Sequence, residues 1–158
     1  MHQLISQNIK NPSDLSCKFF SKEKNTEDNT DVLIVSFSGE YPNGSSGKEH
    51  GEFIARKAIE GLMSFEAEAI VLDFRKMKYS YGNTLLKVFQ DISQFKDAGN
   101  NIDEPEFPII VVTSEKCVKG ILTLLTPTNS EENPNWQFND IHKAINFATK
   151  KGKYWLDY

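Results

Sequence analysis

The chain has 158 residues, 39% hydrophobic and 25% charged, with a formal net charge of -4. That length sets one domain over residues 1–158 as the expectation, with enough buried surface for a core without staples. The acidic balance argues against nucleic acid, whose affinity comes mainly from neutralising phosphates with Lys and Arg.

Cys17 and Cys117 lie far apart and form neither a disulfide framework nor a zinc-ligand spacing. Met1 to Ser6 has no basic start and no long apolar run, so no signal peptide is expected. No stretch approaches the ~20 apolar residues that span a bilayer. A reducing cytoplasm and no membrane partner are therefore expected, and the Asn43-Gly-Ser45 sequon carries no weight without a secretory route.

Residues 1–14 are polar, with a turn at Asn11 to Asp14. Leu15 to Phe20 reads as an edge strand, and Lys22 to Thr30 as a charged loop or hairpin turn. Asp31 to Phe37 is an apolar, β-branched run that suits a strand covered on both faces. Gly39 to His50, with Gly44, Gly47 and Pro42, reads as a loop. Ile54, Ala58, Leu62 and Phe65 recur at helical spacing and predict a helix over 51–65.

Ala69 to Phe74 predicts a second buried strand, followed by a polar turn over 76–82 and a helix from Gly82 to Lys96. The stripe Leu85, Val88, Phe89, Ile92 and Phe95 sets that helix's buried face. After a polar loop come an apolar strand at Ile109 to Thr113 and a helix over 115–125 capped by Ser114. Pro127 and Pro134 bracket a loop, and Trp136 to Phe138 reads as a short strand or a bridge. A last helix runs to Lys150, capped by Asn139, stopped by Gly152 and followed by an aromatic tail over 152–158. The order β-β-α-β-α-β-α-(β)-α implies an α/β fold with a single mostly parallel sheet and about four helices.

Ligands of open α/β sheets bind beyond the carboxyl ends of the strands, which puts weight on the 76–82 turn. The Gly-rich loop departs from a phosphate loop: Gly44 to Gly47 is the wrong interval, and Glu49 stands where a hydroxyl would hold magnesium. No Cys/His cluster supports a metal, and no Gly-x-Ser-x-Gly elbow supports a serine nucleophile. No catalytic, cofactor or metal residue is therefore assigned. His50 reads as a solvated loop residue, and Asp73 as a structural carboxylate pairing near Arg75. The carboxyl pairs at Glu66/Glu68, Glu104/Glu106 and Glu131/Glu132 read as solvated. The tail holds Tyr154, Trp155 and Tyr158, a set that either docks on the protein or meets a partner.

Three segments together resemble the STAS domain, the fold of the sporulation anti-sigma factor antagonist and of sulfate-transporter tails. Val32 to Glu40 resembles the opening strand ending in Gly-Glu. Ile70 to Leu85 resembles the strand, Asp-Ser-Ser-Gly turn and following helix. Phe107 to Leu125 and Phe138 to Ala148 take the places of the later strand and helices. The resemblance covers roughly residues 31–150 and implies the same α/β class; a crotonase-like or other α/β fold is the competitor. In the family turn the serine before the glycine takes a phosphate. Here Tyr79-Ser-Tyr-Gly82 stands instead, with Tyr79 for the acid, Tyr81 for that serine and Ser80 one position early.

STAS-like domains act mostly by binding proteins, so the resemblance implies a non-enzymatic binding domain. The most concrete expectation is an immunity-type protein that neutralises a bacterial toxin domain. The alternatives are a STAS-type regulator that meets a regulatory kinase, and a small enzyme using Ser80, His50 or Asp73. The expected partner surface is Tyr41, His50, Tyr79, Ser80, Tyr81, Asn83 and Trp155.

Overall fold

A computed structural model describes residues 1–126 and 134–158. The loop expected after Pro127 and the pair Glu131/Glu132 lie outside the described residues. In chain order the elements are β1 (Leu15–Ser21), β2 (Val32–Glu40), a 3-10 turn (Gly44–Gly47), α1 (Lys48–Ser64), β3 (Ala69–Lys78), α2 (Leu86–Asp97), β4 (Ile109–Val112), α3 (Val118–Leu125), β5 (Gln137–Phe138) and α4 (Ile141–Asp157). The strands form one sheet in the order β1-β2-β3-β4-β5. β1 runs antiparallel to β2, and the other neighbours are parallel. The α/β class expected from the sequence is the class observed, with a mostly parallel sheet and four helices among the described residues.

The helices divide between the faces for a topological reason. The strand order follows the chain, and crossovers between parallel strands share one hand, so α1, α2 and α3 fall on the same face. That layer packs Ile54, Ala58, Val88, Ile92 and Ile121 against Leu33, Val35, Ile70, Leu72, Phe74 and Val111. α4 covers the other face, setting Ala144 and Ala148 against Val32, Ile34, Val71, Ile110 and Val112. Burial on both faces explains the unbroken apolar runs. Ile54, Val71 and Leu72 have no exposed surface, and each contributes roughly 2 kcal/mol of burial.

β3 is longer than the sequence suggested because it contains a bulge. Ser36 pairs with Asp73 but Ser38 pairs with Lys76, so Phe74 and Arg75 stand opposite Phe37 alone. Before the bulge the even residues Ile70, Leu72 and Phe74 face the three-helix layer. After it the odd residues Met77 and Tyr79 do. The polar stretch expected as a turn from residue 76 is therefore strand as far as Lys78.

Four element boundaries move, each for a local reason. α1 starts at Lys48, after the 3-10 turn, and α2 starts at Leu86, after turns at 83–85. α3 starts at Val118; Ser114 accepts from Lys116 N–H at 3.3 Å and so caps the turn before it. Asp140, not Asn139, caps α4, accepting from His142 N–H at 2.8 Å and Lys143 N–H at 3.2 Å. Asn139 instead accepts from Thr113 and Gln137 side chains.

The aromatic tail is also corrected: residues up to Asp157 continue α4. Gly152 does not stop that helix. It is buried, and a Cβ there would sit 3.0 Å from the Glu68 carbonyl oxygen. Close packing on the chain before β3 is what requires glycine. The helix thereby carries half-buried Trp155 onto Phe107, edge to face at 5.2 Å, with the Lys96 ammonium 5.1 Å from the indole centroid. Trp155→Ala should lower stability by about 2 kcal/mol in chemical denaturation. Tyr158→Ala, at an exposed position, should stay within about 0.5 kcal/mol of wild type.

Candidate functional site

The expected surface residues divide sharply by burial. Ser80, Tyr81 and Asn83 are exposed, with Tyr81 at 62%. Tyr41, His50 and Tyr79 are buried, and Trp155 belongs to the contact just described. The bulge explains why neighbours differ. With the parity reversed, Tyr79 points in and Ser80 points out.

The buried tyrosines hold the turn from beneath. The Tyr79 hydroxyl donates to the Gly82 carbonyl, closing the turn on itself. Its ring meets Tyr41 edge to face at 5.2 Å, and Tyr41 Oη lies 2.7 Å from Thr84 Oγ1. Burial pushes the Tyr79 hydroxyl up to about 12, aided by nearby Tyr41, and burial likewise raises Tyr41. Both phenols therefore stay neutral and keep their hydrogen bonds at ordinary pH. Gly82 takes a φ of 128°, a conformation that a side chain would strain. Gly44 N–H donates to the Tyr81 carbonyl at 3.1 Å and ties the 3-10 turn to the same loop. A glycine N–H that a phosphate cradle would need is thus already committed.

α3 closes the other side. A Cβ on Gly120 would lie 2.6 Å from the Ser80 carbonyl oxygen and 2.7 Å from the Tyr79 ring. Between turn and helix runs a groove of about 740 Å³, lined by Ser80, Tyr81, Asn83, Leu86, Lys119 and Leu124 among others. The sequence reading missed Lys119 and Leu124. Its available signal was Gly120, since a glycine inside an apolar helical pattern marks close backbone approach.

Asp73 and His50 are occupied elsewhere. Asp73 accepts from Ser36 Oγ at 2.9 Å, from Arg75 N–H at 3.2 Å, and from Arg75 Nε and Nη2 at 2.9 and 3.0 Å. Burial alone would raise its pKa, but the Arg75 and Ser36 hydrogen bonds outweigh burial and hold the carboxyl below its ordinary value. His50 Nε2 lies 2.7 Å from Asp14 Oδ1, which joins α1 to the start of β1. Neither residue lines the groove that holds Ser80. The three groups that a small enzyme would use are not brought together there. Among the described residues no group of three or more metal-ligating side chains occurs.

No family model matches the chain, and no curated protein matches it. A solved anti-sigma factor antagonist from Mycobacterium paratuberculosis is similar to it, at 14% identity and a TM-score of 0.46, over 88% of this chain and 98% of that one. The α/β class and sheet order given above rest on the chain's own hydrogen bonds.

Two outcomes test this geometry. Gly120→Ala, which would stabilise an ordinary helix interior, should here cost about 1–3 kcal/mol in chemical denaturation, because the methyl meets backbone that must shift. Asp73 has a lowered folded pKa, so its contribution is present above the unfolded value of about 3.9 and fades as pH falls through the folded value. Asp73→Asn should therefore cost about 2 kcal/mol near pH 7 and clearly less near pH 2, read from denaturant midpoints.

Proposed function

We propose that the chain is a non-enzymatic protein-binding domain whose docking surface is the groove between the 80–83 turn and α3. The observation that carries this is Tyr81, exposed at 62% on a turn held by Tyr79, Tyr41 and Gly44. A side chain presented on an already ordered backbone loses little further entropy when it docks. Tyrosine is also among the residues that dominate binding energy when a partner covers them. Leu86 and Leu124 supply apolar wall beside it, and Ser80 and Asn83 supply polar groups.

The sequence resemblance to STAS domains supports a regulatory protein, such as an anti-sigma kinase, as the partner. The toxin domain of the immunity-type reading gains no support from the fold or the groove. Ser80 is exposed and borders the groove, so a kinase could reach its hydroxyl. Phosphate at that position after incubation with a partner kinase, detected by mass spectrometry, would make the binding switchable.

Tyr81→Ala should weaken a captured partner by at least about tenfold, measured by titration calorimetry, with thermal stability unchanged. Undiminished binding by that variant would place the docking surface elsewhere.

A further inference from the structure

A second groove, of about 700 Å³, runs along α1 where it meets α2. Its floor is apolar, with Ala55, Ile59 and Met63, and Met63 is 73% exposed. Its rim is balanced in charge: Arg56, Lys57 and Lys87 stand against Glu52, Glu60 and Asp91. Lys57 pairs with Glu60 at 3.1 Å and Lys87 with Asp91 at 3.0 Å. An occupant of either charge gains little there, whereas an uncharged apolar segment covers the floor and leaves the pairs intact.

The chain carries such a segment at the mouth of the groove. Residues 3–9 read Gln-Leu-Ile-Ser-Gln-Asn-Ile and hold no charged side chain. Two contacts pin the chain just after it to α1. Arg56 Nη2 donates to the Lys10 carbonyl at 3.2 Å and to Asn11 Oδ1 at 2.9 Å, and Asp14 meets His50. Ile9 thereby already borders the groove. Leu4 and Ile5 stand in water, 94% and 79% exposed, and among the described residues nothing hydrogen-bonds to residues 1–9. Extended chain from Ile9 back to Leu4 reaches about 17 Å. The helix from Glu52 to Met63 rises about 16 Å, so the segment can cover the whole floor. The other hollow that Ile9 borders is lined by Lys48, Glu49 and Glu52 and offers Leu4 and Ile5 no apolar surface.

We infer that residues 4–9 are a strap, anchored by Arg56, that closes over the α1–α2 groove and packs Leu4 and Ile5 on Ile59 and Met63. This groove shares no lining residue with the one beside Tyr81, so the strap and the docking surface stand or fall separately.

The test is NMR spectroscopy of the full chain, labelled with 15N and 13C. The expected result is nuclear Overhauser contacts from the Leu4 and Ile5 methyls to Ile59 and Met63. Backbone order parameters over residues 4–9 should exceed about 0.6, below which a backbone is flexible. Combined Leu4→Ser and Ile5→Ser should abolish those contacts and raise the fluorescence of an added apolar dye, with thermal stability little changed. Arg56→Gln should lower the order parameters of residues 4–9 by releasing the anchor. Flexible residues 4–9 without contacts to α1 overturn the inference, as does dye fluorescence that the serine variant leaves unaltered. Contacts to Lys48 and Glu49 instead of Ile59 and Met63 also overturn it. Contacts found only between differently labelled molecules in a mixed sample overturn it in favour of a second copy covering the groove.

Discussion

One extra residue in β3 decides which side chains the upper part of the molecule shows to water. A strand alternates its side chains, so a single insertion exchanges inside for outside from that point on. Without it, Lys76 and Lys78 would face the three-helix layer and Met77 and Tyr79 would face out. The insertion leaves backbone groups off the ladder, and buried polar backbone must find partners. Here the accounting is visible. Asp73 takes the Arg75 N–H, Ser114 donates to the Arg75 carbonyl at 2.7 Å, and the Cys117 thiol lies 3.3 Å from the Phe74 carbonyl. Asp73, which the sequence reads as a structural carboxylate beside Arg75, is part of what holds the bulge.

These bonds also link the bulge to the groove. Ser114 and Cys117 belong to the turn that leads into α3, so the bonds that satisfy the bulge place that helix beside β3. Gly120 then lets α3 approach the Ser80 carbonyl, and Tyr79 fills the space beneath. β4 stops at Val112, opposite Asp73, so among the described residues the upper half of β3 has no neighbouring strand on that side. The turn before α3 covers this edge, with Tyr79 N–H bonded to Lys116. Sheet, turn and helix thus position the exposed residues through backbone contacts, which move less than side chains do.

The parts legible in the sequence were those set by burial alone. Apolar runs marked β2, β3 and β4, helical stripes marked the faces of α1 and α2, and the order of elements implied the parallel sheet. What stayed hidden depended on contacts between distant residues. Lys76 to Ser80 alternates polar and apolar, a strand pattern, but its phase is opposite to that of the preceding run, so it read as a turn. Gly152 read as a helix stop because nothing local shows that Glu68 lies against it. The spacing of Ala144, Ala148, Gly152 and Trp155 is helical throughout, and that periodicity was the signal to follow. His50 read as a solvated loop residue because its partner Asp14 lies thirty-six positions earlier.

Tyr79 and Tyr81 sharpen the distinction between what the fold requires and what it leaves over. Tyr79 is 2% exposed, donates within its own turn and packs on Tyr41; its size and hydroxyl are both used by the structure. Tyr81, two positions on, contributes its backbone carbonyl to Gly44, a bond that almost any residue could make. Its ring remains in water. The same division separates Arg75, engaged by Asp73, from Lys76 and Lys78, which have no ion-pair partner among the described residues. Folding accounts for the first member of each comparison and is indifferent to the second. The Tyr81 ring, which stability does not use, is held out by bonds that stability does use, and a binding role is the reading that employs it.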